Sequence, residues 1–309
     1  MKRVVITGAN GFVGSAVVKE LVSNNIEVIA LDRDGMNNNI PISNMVKFIP
    51  FDLSNIFQVT DILKELHPDT YIHFAWFGMN GPTRGDINIQ TTNSMWTLDA
   101  LRQAKEVGCK KFVCAGSIME YETLTAVLEQ HNKVGPNYVY GAAKLFAHSI
   151  CSIESAKIGI DLIWAEITNA YGVGENSPRL INSTLKKIIQ GEALEFTDAT
   201  QNYDFVYIDD VARAFRLIAE NGKPFSHYLI GSSNAKSLKE FLLEIKELLA
   251  PNVDFNFGRI PYTGVNLPIS YFDTADTEQD TGFVATISFK DGIKKTYDWL
   301  LNNQQQVIT

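Results

Sequence analysis

The sequence predicts an α/β fold: a doubly wound parallel sheet with a smaller α/β C-terminal lobe. Three observations carry this expectation. Short apolar runs alternate with amphipathic segments through the first half of the 309 residues, a glycine-rich turn joins the first run to the first amphipathic segment, and the rhythm changes after about Tyr171. Such alternation marks β-α-β units, because parallel strands need a crossover and the crossover is usually a helix.

The elements follow in order. Buried strands are expected at 3–7 (RVVIT), 27–31 (EVIAL), 46–50 (VKFIP), 70–74 (TYIHF), 111–115 (KFVCA) and 162–166 (LIWAE). Helices are expected between them at 11–23, 55–66, 91–107 and 140–157. Beyond Tyr171, loop-like residues 172–178 lead to a helix at 179–190 and a strand at 193–197, and a helix at 289–301 closes the chain. The run 227–231 (HYLIG) again reads as a buried strand, returned to the core sheet. The expected division is therefore discontinuous, with 1–171 and 205–232 in a first domain and 172–204 and 233–309 in a second lobe. No internal repeat or low-complexity segment is found.

Composition narrows the function classes. A hydrophobic fraction of 45% and a charged fraction of 20% are ordinary for a globular protein. The net charge of −8 argues against nucleic acid as a partner, since such binders usually carry a basic face. The three cysteines, Cys109, Cys114 and Cys151, form no C-x-x-C pair, and no histidine cluster has metal-ligand spacing, so no metal is expected. Sparse, odd cysteine usage fits a reducing compartment. No apolar stretch has the length of a membrane helix, and glycines interrupt MKRVVITGANGFVG too early for a signal peptide. The expectation is a cytoplasmic protein.

The turn TGANGFVG spans Thr7 to Gly14, where the first strand gives way to the first helix. Gly8, Gly11 and Gly14 let the chain turn tightly and approach a pyrophosphate, with Asn10, Phe12 and Val13 between and beside them. The helix N-terminus then offers free N–H groups and a positive dipole end. Asp32 follows at the end of the next strand, as in a Rossmann-type dinucleotide site; its carboxylate favours NAD by bonding a ribose 2′-hydroxyl and repelling a 2′-phosphate. Arg33 beside it leaves NADP open, because a guanidinium holds that phosphate.

Tyr140 and Lys144 stand four residues apart, on one face of the expected helix. A nearby ammonium stabilises a phenolate, which makes Tyr140 a candidate proton donor and acceptor. Ser117, in CAGSIMEYE, lies at the exit of the strand 111–115, where a side chain faces the ligand crevice. Its other reading is a turn serine that satisfies the local backbone.

Together these residues resemble the extended short-chain dehydrogenase/reductase family, its NAD-dependent epimerase/dehydratase group. The resemblance spans nearly the whole chain: TGANGFVG, Asp52-Leu53, His73-Phe74-Ala75, Asn93, Ser117, Tyr140 and Lys144, then Asn169-Ala170-Tyr171-Gly172 and the segment from Asp204 to Ala212 (DFVYIDDVA). It implies that Asp52, Leu53, Phe74 and Ala75 line the cofactor groove, beside Tyr140 and Lys144. It implies that Asn93 orders a proton-relay water, that the second lobe binds a nucleotide sugar, and that a homodimer forms through 91–107 and 140–157. Dehydratases of the family carry an Asp-Glu pair after the catalytic hydroxyl residue, where this chain has Ile118 and Met119, so a 4,6-dehydratase is not expected. Glu166 and Tyr203 stand where the family often has arginine, and Val173 replaces a frequent proline.

Two chemistries use this constellation. A 4-ketoreductase takes hydride once from exchangeable NAD(P)H, and a 4-epimerase oxidises and re-reduces C4 with NAD retained. The short chain and the tail NVDFNFGRIPY resemble small sugar-nucleotide reductases more than full-length galactose epimerases, while Asp32 leans the other way because NAD suits a retained cofactor; the reductase is the expectation. A non-catalytic dinucleotide sensor is the rival of another class, and the intact Ser117, Tyr140 and Lys144 speak against it. Arg179 and Arg259 are candidates for the substrate diphosphate, and Trp76 and Asn169 for the sugar side. Trp76 and Phe77 read equally as core aromatics. His73 reads as a structural histidine, Trp96, Trp164 and Trp299 as core or interface, and Asp209-Asp210 as helix capping.

Overall fold

A computed structural model describes residues 1–33, 35, 38–129 and 134–306. The chain opens with β1 (Arg3–Thr7), α1 (Phe12–Ser23), β2 (Glu27–Asp32) and β3 (Val46–Pro50). It continues through α2 (Thr60–Leu66), β4 (Thr70–His73), α3 (Ile87–Glu106), β5 (Lys111–Ser117), α4 (Met119–Leu124), α5 (Val139–Ile158) and β6 (Asp161–Ile167). Then come β7 (Asn169–Tyr171), α6 (Leu180–Gln190), β8 (Leu194–Glu195), β9 (Asn202–Tyr203), β10 (Phe205–Tyr207), α7 (Ile208–Asn221) and β11 (His227–Ile230). The last elements are β12 (Lys236–Ser237), α8 (Leu238–Leu249), β13 (Phe255–Asn256), α9 (Ala275–Thr281) and α10 (Phe289–Gln306).

Seven strands form one sheet in the order β11-β6-β5-β4-β1-β2-β3, and every pairing in it is parallel. The chain winds outward from β1 to β3, then crosses back to β4 and builds the other half. The reversal falls between β1 and β4, and such a switch point opens a crevice at the carboxyl ends of its two strands. The sheet owes its two covered faces to period-two alternation. Val4 and Ile6 of β1 pack with α1 and α7 residues such as Val17, Leu21 and Phe215, while Val5 packs with Leu98, Leu101 and Cys151 of α3 and α5.

Among the described residues, three short pairings lie outside this sheet: β7 with β10, β8 with β13, and β9 with β12. The strand expected at 227–231 is present as β11 and pairs with β6 on the sheet's edge. The helix expected at 55–66 starts differently. Asp52 takes the N–H of Ser54 and caps a 3₁₀ stretch, Leu53–Val59, which is kinked at Asn55 before α2 begins. α3 begins at Ile87, earlier than expected, because Asp86 caps it by accepting the N–H of Ile89. α8 was not among the expected helices, although Ser237 and Glu240 form a capping box at its start. Among the described residues no helix is long and apolar enough to cross a membrane.

Candidate active site

The glycine turn sits at the switch point. Gly8 has φ +68°, and a Cβ there would lie 2.8 Å from the Ala75 nitrogen after β4; a Cβ on Gly14 would meet the Gly8 carbonyl at 2.1 Å. Only glycine fits that crossing. Gly11 caps α1 without any side-chain hydrogen bond, so Phe12 and Val13 open a helix whose first amides have no side-chain cap. Asp32 reaches back to this turn, accepting the N–H of Asn10 at 2.8 Å and that of Arg33 at 2.8 Å. Asn10 also accepts the N–H of Asn39 and so ties the loop after β2 to the turn. Arg33 is exposed, and its charge helps Ser54 to hold the Asp52 carboxyl below the usual carboxylate range, the Ser54 hydrogen bonds being the larger cause. Leu53 packs into the core, and Phe74 meets Phe215 edge-on.

β5 delivers Ser117 and the start of α5 delivers Tyr140. Helices α4 and α5 are pressed together: a Cβ on Gly141 would lie 2.3 Å from the Met119 carbonyl oxygen and 2.1 Å from Thr123 Oγ1. Lys144, one turn on, is buried and donates to the Ala115 carbonyl at 2.8 Å. Trp76 links the pair, its ring lying 3.8 Å under Lys144 Nζ and 5.8 Å edge-on from the Tyr140 ring, while its indole N–H donates to Gln90. The Asn93 side chain is hydrogen-bonded to the backbone of Phe77 and Ile89. Its amide accepts from the Phe77 N–H and donates to the carbonyls of Phe77 and Ile89, so both its hydrogens are used on the backbone.

A cleft of about 240 Å³ gathers Ser117, Tyr140, Asn169 and Arg179, with Ile118 and Met119 on its wall. Arg179 lies 3.8 Å from the Glu175 carboxylate. Arg259 does not line this cleft; it is exposed beyond β13. Arg84, Glu122 and Asn182 also line the cleft and were not singled out from the sequence. Asn182 is buried with an unpartnered Oδ1. The Arg84 guanidinium lies 4.8 Å from the Tyr140 ring centre.

The sequence pattern of the NAD dependent epimerase/dehydratase family matches residues 4–231. The chain belongs to that family. It is similar to dTDP-glucose 4,6-dehydratase of Escherichia coli, 24% identical with 98% of this chain and 94% of the relative covered. Among solved structures it is similar to UDP-glucose 4-epimerase of Thermotoga maritima with UDP-glucose, at TM-score 0.81 and 20% identity over 98% of this chain and 99% of that one. It is likewise similar to UDP-glucuronic acid 4-epimerase of Bacillus cereus in complex with UDP-glucuronic acid and NAD, at TM-score 0.81 and 21% identity over 97% and 99%. At these identities the structural likeness speaks for the fold. NAD is the family's cofactor, and the side-chain-free cradle at Gly8 and Gly14 with Asp32 beside it fits a dinucleotide.

Behind the cleft, this member of the epimerase/dehydratase family carries a buried polar network. Glu120 accepts from the Ser117 N–H at 2.9 Å and from the Trp164 indole N–H at 3.1 Å, fixing the end of β5. His148 stacks on Trp164 and sits 3.6 Å from Glu120. Burial, and then the neighbouring Glu120, push the Glu166 carboxyl well above the usual carboxylate range. Glu120, His148 and Glu166 present ligand-type atoms within 4.8 Å of one another, a grouping that no sequence spacing displays. His73 is structural: Thr7 and Thr97 hydroxyls contact its two ring nitrogens, and burial, then Lys144, lower its pKa to about 3. Asp210 differs from the capping expectation. Buried in the first turn of α7, it accepts from the N–H groups of Thr286 and Ile287 and from Arg213, joining α7 to the segment before α10.

Proposed function

We propose that the chain is an NAD(P)-dependent oxidoreductase acting at C4 of a nucleoside-diphosphate sugar, with reduction of a 4-keto sugar as its net reaction. The observation that carries this reading is the convergence of Ser117 and Tyr140 on one cleft with Lys144 buried directly behind. The bound cofactor supplies the hydride. Tyr140 gives its phenolic proton to the carbonyl oxygen as that oxygen becomes an alkoxide. Ser117 Oγ, which accepts from the Met119 N–H at 3.3 Å, keeps its own hydrogen for the same oxygen. Lys144 is held by the Ala115 carbonyl and the Trp76 face, one helical turn from the phenol. Asn93 enters as a positioning residue that fixes the Phe77 backbone and hence Trp76. Arg179 and Asn169 take the substrate's polar groups, and Asp32 favours NAD over NADP.

A 4-epimerase with retained NAD is the second reading, favoured by the two solved structures, both named as 4-epimerases. The nucleotide released on denaturing fresh protein separates the two. Protein free of cofactor supports the reductase, and stoichiometric NAD supports the epimerase.

The reading includes a discontinuous nucleotide-sugar lobe at 172–204 and 233–309, a cytoplasmic protein, and a homodimer through α3 and α5. Exposed Ile87 and Met95 on α3 and Phe146 and Ile153 on α5 support that interface. All three cysteines are free and buried, in keeping with a reducing compartment.

A further inference from the structure

Glu122 is a titratable group in the cleft that hydride transfer does not need. It follows Ile118 by four residues, close to one helical turn, at the start of α4, and both residues line the cleft with Ser117 and Tyr140. The carboxyl thus enters the cleft one turn beyond the position of Ile118. Its charge is felt by Tyr138, Tyr203 and Tyr262, and Arg84 is the cation that acts on it. Burial pushes the Glu122 carboxyl up to about 7, with Arg84 pulling the other way. A base that titrates there is matched to proton transfer near neutrality. Arg84 itself stands 4.8 Å from the Tyr140 ring centre, and it lines the same cleft as Glu122, Ser117 and Tyr140.

A 4-keto sugar is acidic at the carbons flanking C4. We infer that Glu122 removes and returns a proton on one of those carbons, giving the protein an α-proton exchange activity on 4-keto nucleoside-diphosphate sugars. The C–H bond breaks and its proton passes to a Glu122 oxygen. The electron pair forms a carbon–carbon double bond, and the C4 carbonyl becomes an enolate oxygen. Tyr140 and Ser117 hydroxyls hydrogen-bond that oxygen, and the Arg84 guanidinium faces the developing charge. Glu122 exchanges its proton with water and returns one to carbon, restoring the ketone. Nothing is oxidised or reduced. Return to the original face gives isotope exchange, and return to the other face gives an epimer.

The inference rests on the reading that a 4-keto sugar nucleotide occupies the cleft, and its test separates the two. The protein is incubated in D₂O with oxidised NAD and dTDP-4-keto-6-deoxyglucose, together with the CDP and UDP analogues, and ring deuteration is followed by NMR. Reduction of the same sugars by NADH is measured in parallel. The expected result is deuterium at one carbon flanking C4 well above the protein-free rate, rising with pH through about 7. In Glu122→Gln the ratio of exchange to reduction falls by on the order of 100-fold. Glu122→Asp, which keeps the carboxyl, retains part of the exchange and serves if the first variant does not fold. Reduction without exchange, or exchange undiminished in Glu122→Gln, overturns the inference and leaves the reductase reading intact. Absence of both reduction and exchange across the three sugars overturns the reductase reading, and the inference with it.

Discussion

Tyr140 works within a surround in which each neighbour has its own anchor. Trp76 is pinned by Gln90, Lys144 by the Ala115 carbonyl, and the α4 backbone comes against Gly141 with no room for a methyl group. Gly141→Ala should therefore force α4 and α5 apart, costing about 1–3 kcal/mol of stability and lowering kcat more than cofactor affinity. Thermal melts and steady-state kinetics check this, and unchanged kcat would show that Tyr140 tolerates the shift. Asp32→Ala should relax discrimination against NADP, measured as the ratio of kcat/KM with the two cofactors. An unchanged ratio would move that role to Arg33. Tyr140, Lys144 and the glycine turn were legible because their chemistry is written in short, local spacings. Arg84, Glu122 and Asn182 were not, because three distant segments bring them together and none carries a motif of its own.

At the scale of elements, most strands were readable from apolar runs because a doubly covered sheet buries both side-chain sets. The kinked entry into α2 and the early start of α3 were not, since each depends on one aspartate, Asp52 or Asp86, choosing a nearby backbone amide. Asp210 shows the same limit. Composition suggests a cap, whereas the fold brings 286–287 against it as a cross-link. Asp210→Ala should cost about 2–4 kcal/mol by stranding those amides and Arg213. Denaturant unfolding reads the loss, and a change below about 0.5 kcal/mol, the ordinary scale of a surface substitution, would mean that water replaces the carboxylate. For α3 and α5, Ile153→Asp should shift the protein toward monomer in sedimentation, where an unchanged mass would argue against that face as the dimer contact.

Across the whole molecule, His73 at the switch point links the sheet to acid stability. Its folded pKa is about 3 against 6.5 for the free side chain, so the unfolded chain binds the extra proton between those values. Stability from His73 is complete above about 6.5 and falls as pH drops toward 3, by about 2 kcal/mol at pH 5. Glu166 contributes the opposite slope, because its raised carboxyl keeps a proton in the folded state that the unfolded chain loses. Comparing the pH slopes of wild type and His73→Gln isolates the histidine. Equal slopes would contradict its buried neutral state.

Chemistry at C4 depends on the Tyr140 hydroxyl, and Tyr140→Phe removes that hydroxyl alone. Reduction of dTDP-, CDP- and UDP-linked 4-keto-6-deoxy sugars by NADH is followed for both proteins, with NAD binding measured alongside. Turnover by the wild type is expected, with a loss of on the order of 10²–10⁴-fold in the variant and NAD binding retained. Substantial turnover in Tyr140→Phe would contradict the assigned proton donor, and wild-type protein that binds NAD but turns over none of these sugars would contradict the reductase itself.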